Sequence, residues 1–189
     1  MPLLRKTSSV VSLPNLRENI RRLRDHVGPK VKVLLVVKAD AYGHGIVPCS
    51  QAAQREGVDW LGVALVEEGM TVREGGVTTP ILVFGALNWD GMEAAARHDL
   101  TVPLPDVNSV QLAQRAAEQA GKPINAHFKL DTGMNRIGAR TKEEVQAILD
   151  ALKLAPMVQV TGVFTHFADA DTPAREYTDF QLARFREML

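Results

Sequence analysis

The residues best suited to chemistry begin at Lys38, which opens the segment Lys-Ala-Asp-Ala-Tyr-Gly-His-Gly at residues 38–45, directly after an apolar run. A lysine at the mouth of a buried strand should be partly desolvated, which lowers its pKa and leaves a neutral amine able to attack an aldehyde. The glycines let backbone approach a ligand, and the helix expected next offers free amides to a phosphate. Without these neighbours we would interpret Lys38 as a surface lysine. An amine beside a phosphate site favours pyridoxal phosphate.

A second group of polar residues alternates along the apparent fifth strand. The polar positions are Asn125, His127, Lys129 and Asp131, and the intervening ones are Ala126, Phe128 and Leu130. If the apolar set faces helices, Lys129 points into the interior, where its ammonium is costly unless neutralised, paired or modified. The alternative is that this face meets water at an incomplete sheet. Arg136, a few residues later, could offer paired donors to a carboxylate, or could simply be solvated.

The third candidate is His166, which follows the apparent sixth strand. It is expected to continue a row of residues sharing one face: Val158, Val160, Gly162 and Phe164. A histidine at the rim can stack on a flat cofactor ring, although a structural, hydrogen-bonded histidine is at least as reasonable. The other histidines form no pair at helical or hairpin spacing, and Cys49 is the single cysteine, so no metal site is predicted.

The elements that must position these residues follow a repeating pattern. A helix is predicted over residues 16–27 behind Pro14, and strands over residues 31–37, 60–65, 81–84, 100–104, 124–130 and 158–165 with helices between them. The pattern predicts an α/β fold with a parallel sheet and right-handed crossovers. Lys38, the loop to Arg136 and His166 then lie at carboxyl ends of strands, where such folds place active sites.

The number of repeats constrains the architecture. A (β/α)8 TIM-type barrel needs eight units and typically about 250 residues. Six units therefore predict an incomplete barrel, and an open doubly wound sheet remains an alternative. Helix boundaries are predicted by the capping box from Thr141 to Glu144, by Asp106 or Ser109 as a start, and by Gly121 as a stop.

Composition excludes several classes of protein. Of the 189 residues 46% are apolar, and 22 basic residues balance 22 acidic ones. The chain can therefore bury a core, and no net field favours nucleic acid or an anionic membrane as partner. No apolar run approaches the roughly 18 residues of a membrane span, and the start of the chain lacks a leader-like apolar stretch. With its single cysteine, the protein is expected to be cytoplasmic.

Three segments, in order, resemble the alanine racemase family. They are Val-Val-Lys-Ala-Asp-Ala-Tyr-Gly-His-Gly at 36–45, Lys-Leu-Asp-Thr-Gly-Met-Asn-Arg-Ile-Gly at 129–138 and Gly-Val-Phe-Thr-His-Phe-Ala at 162–168. The resemblance runs through nearly the whole chain, including the helix at 181–186. It implies a pyridoxal-phosphate barrel that interconverts L- and D-alanine for bacterial peptidoglycan synthesis. Residues 1–189 are accordingly expected to be the N-terminal part of that barrel, without the family's C-terminal β domain.

The resemblance also implies a role for each matching residue. Lys38 would form the Schiff base with the cofactor and then act as the base on the D-alanine face. Tyr42 would approach the cofactor phosphate, His166 would lie against the pyridine ring, and Arg136 would bond near the phenolate oxygen and the substrate carboxylate. Family members often carry a carbamylated lysine at the position of Lys129, an anion that could pair with Arg136.

The second base in the family is a tyrosine of the C-terminal domain, delivered across a homodimer interface, and Tyr177 matches no catalytic position. We therefore expect a homodimer for the full-length enzyme, and little or no racemase turnover from the 189-residue chain alone. Three alternatives stay open. They are a racemase or decarboxylase acting on another amino acid, a non-enzymatic pyridoxal-phosphate carrier, and a structural α/β domain without a ligand.

Overall fold

The computed structural model describes residues 9–189, in which strands and helices alternate. The helices are α1 Leu13–Val27, α2 Lys38–Gly43, α3 Ile46–Arg55, α4 Val66–Glu74, α5 Trp89–Arg97, α6 Val107–Ala120, α7 Lys142–Leu152 and α8 Glu176–Met188. The strands are β1 Leu34–Val36, β2 Trp60–Val63, β3 Ile81–Val83, β4 Val102–Leu104, β5 Ile124–Lys129 and β6 Val158–Phe164. The start of the chain, where the sequence predicts no leader, lies outside the described residues.

The strands are parallel and pair in chain order. The ladders join β1, β2 and β3, and then β4, β5 and β6. A parallel bridge between Leu82 and Thr101 connects the two sets. The predicted α/β fold with six parallel strand-helix units is confirmed, and the strand order lacks the reversal that defines a doubly wound sheet. Within residues 9–189 the sheet does not close into a barrel, because β1 pairs only with β2 and β6 only with β5.

The first strand is shorter than its sequence predicts. The apolar run suggested a strand over residues 31–37, but the ladder covers Leu34–Val36. Val31 is 53% exposed, and the Val33 N–H donates to the Asp59 carboxylate at 2.8 Å rather than to a neighbouring strand. β4 also begins later than predicted, at Val102.

The predicted helix ends are largely confirmed. The side chain of Asp106 accepts a hydrogen bond from the Ser109 N–H at 2.8 Å, and Gly121 ends α6 in the left-handed conformation with φ of 67°. The side chain of Thr141 caps α7 by accepting from the Glu144 N–H at 3.2 Å. The Glu144 carboxylate, however, accepts from the Arg140 N–H, so the predicted reciprocal bond of a capping box is not made.

The chain turns in the left-handed sense directly after β1. Ala39, Asp40, Ala41 and Tyr42 have φ between 51° and 54°, a conformation that costs roughly 1–2 kcal/mol per non-glycine residue. The first residue of α3, Ile46, donates its N–H to the Asp40 carboxylate at 2.7 Å. The expectation that this helix start offers free amides to a phosphate is therefore wrong at Ile46, because the neighbouring turn already caps it.

Strand β6 contains one extra residue in its pairing with β5. Ala126 pairs with Val160, but the next residue, His127, pairs with Gly162, which leaves Thr161 as a β-bulge. Residues that pair across parallel strands point to the same side of the sheet, so the bulge changes which side the later residues face.

The bulge corrects the predicted single row from Val158 to His166. Val158 pairs with the buried Ile124, on the apolar side of β5. Beyond the bulge, Phe164 pairs with Lys129, on the polar side. The row of one face predicted from simple alternation is therefore wrong, because the extra residue reverses the parity in the middle of the strand.

The core lies between the sheet and the helices that cover it. Its fully buried members come from strands and helices alike and include Leu61, Val63, Ile81, Val83, Met92, Val102, Leu104, Ala113 and Ala117. Short strands packed on both faces explain the nearly continuous apolar runs of the sequence. In the part of the chain that the structure describes, no helix is long and apolar enough to cross a membrane.

Candidate active site

A cavity of about 540 Å³ opens at the carboxyl ends of the strands. The site residues predicted from the sequence all line it, namely Lys38, Tyr42, Lys129, Arg136 and His166. Its volume lies in the range of about 300–1,000 Å³ typical of small-molecule sites. A larger cavity of about 700 Å³ borders it at Arg136 and Ile137 but contains none of the other four residues. The smaller cavity is therefore the candidate site.

The walls of this cavity are mainly apolar and its charges are of one sign. The apolar lining includes Leu34, Val36, Leu82, Phe84, Ile137 and Phe164. The charged lining residues are Lys38, Lys129 and Arg136, and none of the described residues that line the cavity is acidic. Cations set in low-dielectric walls attract anions, so the cavity suits a ligand with a flat apolar part and negatively charged groups.

Lys38 and Tyr42 reach the cavity from opposite ends of the left-handed turn. The Lys38 Nζ lies 5.9 Å from the centroid of the Tyr42 ring. Tyr42 is 60% exposed and also lines the cavity, so it can meet a ligand at the solvent side. The turn ends at Tyr42, and the chain then passes through Gly43 and Gly45, whose φ values of 81° and 91° favour glycine. The proximity of Lys38 and Tyr42 therefore depends on a backbone conformation that the sequence does not predict.

Lys129 is buried, with only 4% of its surface exposed, and its Nζ lies 4.8 Å from the centroid of the Phe164 ring. Its predicted inward orientation is confirmed, whereas Asn125 at the other end of the polar row is exposed. Burial and the nearby Arg136 lower the pKa of Lys129 to about 8, although Asp131 opposes the shift. About a tenth of this amine is therefore neutral at pH 7, far more than for an unperturbed lysine.

Arg136 is presented by a loop that folds around one buried carboxylate. Asp131 accepts hydrogen bonds from the N–H groups of Gly133 at 3.1 Å, Asn135 at 2.9 Å and Arg136 at 2.9 Å. Burial alone would raise the pKa of Asp131, but these backbone donors and the nearby Arg140 hold the pKa below its usual value. A carboxylate bound by backbone donors organises the loop that carries Arg136 to the cavity.

His166 lines the rim of the cavity beyond β6. Burial lowers its pKa, and the cations Arg136, Lys129 and Lys38 lower it further. The imidazole is therefore neutral at neutral pH, and a neutral ring can lie flat against another ring without adding charge to an already cationic cavity.

Sequence reasoning missed two residues that hold the segments of the site in place without lining the cavity. The Glu68 carboxylate accepts from the N–H of Ala39, the residue after Lys38, at 2.6 Å. Gln181 is fully buried and donates to the His166 carbonyl at 3.0 Å. The sequence contained a signal for Glu68, because this residue is the third of α4. The residue before the helix, Leu65, has no side-chain acceptor for a cap, so a glutamate at the third position is a candidate to replace it. No sequence pattern indicated Gln181 beyond the resemblance of the helix that carries it.

Tyr177, which has no predicted catalytic role, donates its hydroxyl to the Gly133 carbonyl at 2.7 Å. Tyr177 therefore links α8 to the loop that contains Asp131, and it does not line the cavity. Among residues 9–189, no group of three or more His, Cys, Asp or Glu side chains is arranged to hold a metal ion.

Comparison with known proteins identifies the family. The family described as alanine racemase, N-terminal domain, matches residues 11–189. Alanine racemase 1 of Bacillus subtilis (strain 168) is 38% identical over 188 residues, covering 100% of this chain and 48% of that protein. Alanine racemase from Clostridium difficile 630 superposes with a TM-score of 0.89 at 35% identity over 93% of this chain and 46% of that one. Its complex with cycloserine gives the same TM-score of 0.89. The chain spans about half the length of these relatives and belongs to the alanine racemase family, through that family's N-terminal domain.

Proposed function

We propose that this chain binds pyridoxal phosphate covalently through Lys38 and uses it in the racemisation of alanine, the activity named in its relatives. One observation carries the proposal. The cavity brings the Lys38 amine together with two further cations, an imidazole and a phenol, between apolar walls and without a lining acid. That set matches a flat aldehyde-bearing ring with a phosphate group.

Each lining residue suits one part of the cofactor. The Lys38 amine can condense with its aldehyde, and the hydroxyl of the exposed residue Tyr42 can bond its phosphate. The neutral ring of His166 suits the face of the pyridine. Arg136 supplies paired donors for the phenolate oxygen and for the carboxylate of an amino acid. The residues present therefore fit the group that binds in this family.

Proton movement is assigned to Lys38. Bound pyridoxal phosphate supplies an electron sink that acidifies the α-hydrogen of an amino acid. Once the amine of an amino acid has replaced Lys38 on the cofactor, the freed Lys38 Nζ would take the α-proton from the D-alanine face and return it there, while Arg136 would orient the substrate carboxylate. Phe84 and Phe164 line the cavity, and we propose that their apolar surfaces limit the access of water to the reacting side.

Lys129 is proposed to be carbamylated. With a pKa of about 8, its neutral amine can add to dissolved carbon dioxide, forming an N–C bond and releasing a proton to water. The product carries one negative charge in place of a positive one. It can pair with the nearby Arg136, which removes the cost of burying an unpaired ammonium.

The full reaction belongs to a longer unit, since the relatives are about twice as long as this chain. We propose that residues 1–189 form the N-terminal part of a (β/α)8 barrel. The second proton carrier and the homodimer expected from the resemblance also remain proposals about the complete enzyme.

The direct test is the absorption spectrum of the 189-residue chain on addition of pyridoxal phosphate. The visible band of a lysine-bound cofactor should appear with the wild-type chain and with Lys32→Ala, because Lys32 is exposed and outside the cavity. The band should be absent with Lys38→Ala. A band of equal strength in Lys38→Ala would refute the assignment.

A second test separates an enzyme from a carrier and identifies the substrate. In heavy water, the loaded chain should exchange the α-hydrogen of D-alanine faster than that of D-lysine or D-arginine, and Lys38→Ala should abolish the difference. A loaded chain that exchanges no α-hydrogen would favour the carrier, and preferred exchange of a basic amino acid would contradict alanine as the substrate.

A further inference from the structure

One carboxylate joins the start of α4 to the turn that carries Lys38. The Glu68 Oε1 accepts from the Ala39 N–H at 2.6 Å, and its Oε2 accepts from the N–H groups of Ala64 at 2.8 Å and Leu65 at 3.1 Å. The two oxygens therefore act on two different segments. Oε2 caps α4 and the end of β2, and Oε1 holds the peptide that follows Lys38.

The turn held by Oε1 is strained and needs such contacts. Four consecutive non-glycine residues, 39–42, adopt φ between 51° and 54°, at a cost of roughly 1–2 kcal/mol for each. Such a conformation persists only where the surroundings fix it. The later part of the turn has its own bonds, from the Ala41 N–H to the Val37 carbonyl at 2.9 Å and from the Ile46 N–H to Asp40 at 2.7 Å.

The first residue of the turn depends on Glu68. The Ala39 N–H has the Glu68 carboxylate as its hydrogen-bond acceptor, and Ala39 is exposed. If this bond is lost, water competes for the N–H and the peptide between Lys38 and Ala39 can rotate. Rotation of that peptide would move the Lys38 side chain relative to the cavity and to Tyr42.

We propose that Glu68 is a positioning residue for Lys38. Its carboxylate fixes the peptide after the cofactor lysine, so that the left-handed turn directs both Lys38 and Tyr42 into one cavity. The part of this inference that concerns the cofactor rests on the function proposed above. The part that concerns the turn rests on the chain alone and can be measured without any ligand.

The variant Glu68→Gln separates the two tasks of the carboxylate. A glutamine keeps one acceptor oxygen, and the other position becomes an NH2 group that cannot accept. The oxygen should remain where it satisfies two donors, at Ala64 and Leu65, which leaves the Ala39 N–H facing another donor. Glu67→Gln is the matched control, because Glu67 is the adjacent, exposed residue and loses the same charge.

The first measurement is amide hydrogen exchange at Ala39 in the 189-residue chain without cofactor. Loss of one hydrogen bond should speed exchange by about tenfold in Glu68→Gln, with wild-type rates in Glu67→Gln. The second is the rate of covalent attachment of pyridoxal phosphate, which should fall by a similar factor in Glu68→Gln only. The midpoint of thermal unfolding, measured in parallel, should fall by only a few degrees in Glu68→Gln, so that both variants are folded during the two measurements.

The proposal would be overturned if the amide of Ala39 exchanged at the wild-type rate in Glu68→Gln. It would also be overturned if the wild type attached pyridoxal phosphate and the two variants attached it at equal rates. If the wild type does not attach the cofactor, the proposed function fails and the exchange rate alone decides the role of Glu68. Should Glu68→Gln not fold, Glu68→Asp takes its place. That shortened carboxylate cannot span both segments, and the same difference from wild type at Ala39 is expected.

Discussion

The side-chain amide of Gln181 donates a hydrogen bond to the backbone carbonyl of His166 at 3.0 Å. The same fully buried side chain accepts from the Ala168 N–H at 2.8 Å and donates to the Thr132 hydroxyl at 3.2 Å. Gln181 therefore ties α8 to the segments that follow both β5 and β6. The last helix stabilises the rim of the cavity although none of its described residues lines it.

Gln181→Leu should destabilise the chain by about 1–3 kcal/mol, because it leaves buried polar groups without partners. Urea unfolding near neutral pH measures the difference. Glu187→Gln on the same helix is the control. Its side chain is 68% exposed, and the change should stay within about 0.5 kcal/mol. Equal stability of Gln181→Leu and the control would show that the buried amide contributes nothing.

Asp131→Asn should destabilise the loop of Arg136 in a way that depends on pH. The folded-state pKa of Asp131 lies below its usual value, so the carboxylate stabilises the fold above about pH 4, and this contribution is lost as the pH falls. Urea unfolding should show a deficit of about 1–3 kcal/mol for Asp131→Asn near neutral pH. The difference in unfolding free energy between Asp131→Asn and the wild type should become smaller in acid. A difference that does not vary with pH would contradict a stabilising role for the ionised carboxylate.

Lys129→Met tests the buried amine. The pKa of Lys129 falls from 10.5 to about 8 on folding, so between these values the unfolded chain binds more protons and wild-type stability rises with pH. Relative to Lys129→Met, the wild type without carbon dioxide should gain roughly 1–3 kcal/mol across that window. A flat difference would mean that the ammonium is not desolvated.

Carbamylation gives Lys129 a separate prediction. Isotopically labelled bicarbonate should produce a carbamate signal in the nuclear magnetic resonance spectrum of the wild-type chain, and Lys129→Met should lack it. A signal that persists in Lys129→Met would place the carbamate on another amine.

Gly162→Ala should destabilise the sheet at the bulge. A Cβ at this position would lie 2.7 Å from the Cε1 and Nε2 atoms of His127. The imidazole is confined, because its centroid lies 4.9 Å from that of Trp60 and 6.3 Å from that of Phe164. Overpacking of this kind costs about 1–3 kcal/mol, which thermal unfolding can measure. Thr161→Ala, at the exposed neighbouring position, is the control and should change the stability little. Equal stability of Gly162→Ala and Thr161→Ala would contradict the predicted clash.

The location of the site could be predicted from the sequence more fully than the backbone conformation that supports it. Apolar runs followed by Lys38, the loop of Arg136 and His166 placed all three at carboxyl ends of parallel strands, and they line one cavity. The inward orientation of Lys129 followed from the alternation along β5. These features depend on periodicity and strand direction, which a sequence shows directly.

Two features of the backbone could not be predicted, because they run against the conformational preferences of their own residues. Four left-handed residues without glycine after Lys38 have no propensity signal, because long-range contacts such as that from Glu68 impose the conformation. The extra residue at Thr161 likewise leaves no mark in the alternation of β6, so the predicted row to His166 failed. Both features are fixed by neighbouring elements and not by the segments themselves.

The proposed function depends on a covalent bond between Lys38 and the cofactor. The most direct measurement is borohydride reduction of the 189-residue chain mixed with pyridoxal phosphate, followed by peptide mapping. We expect a single stable label on Lys38, directly before the turn that Glu68 holds. A label on Lys129 or on any other lysine in preference to Lys38, or no label at all, would contradict it.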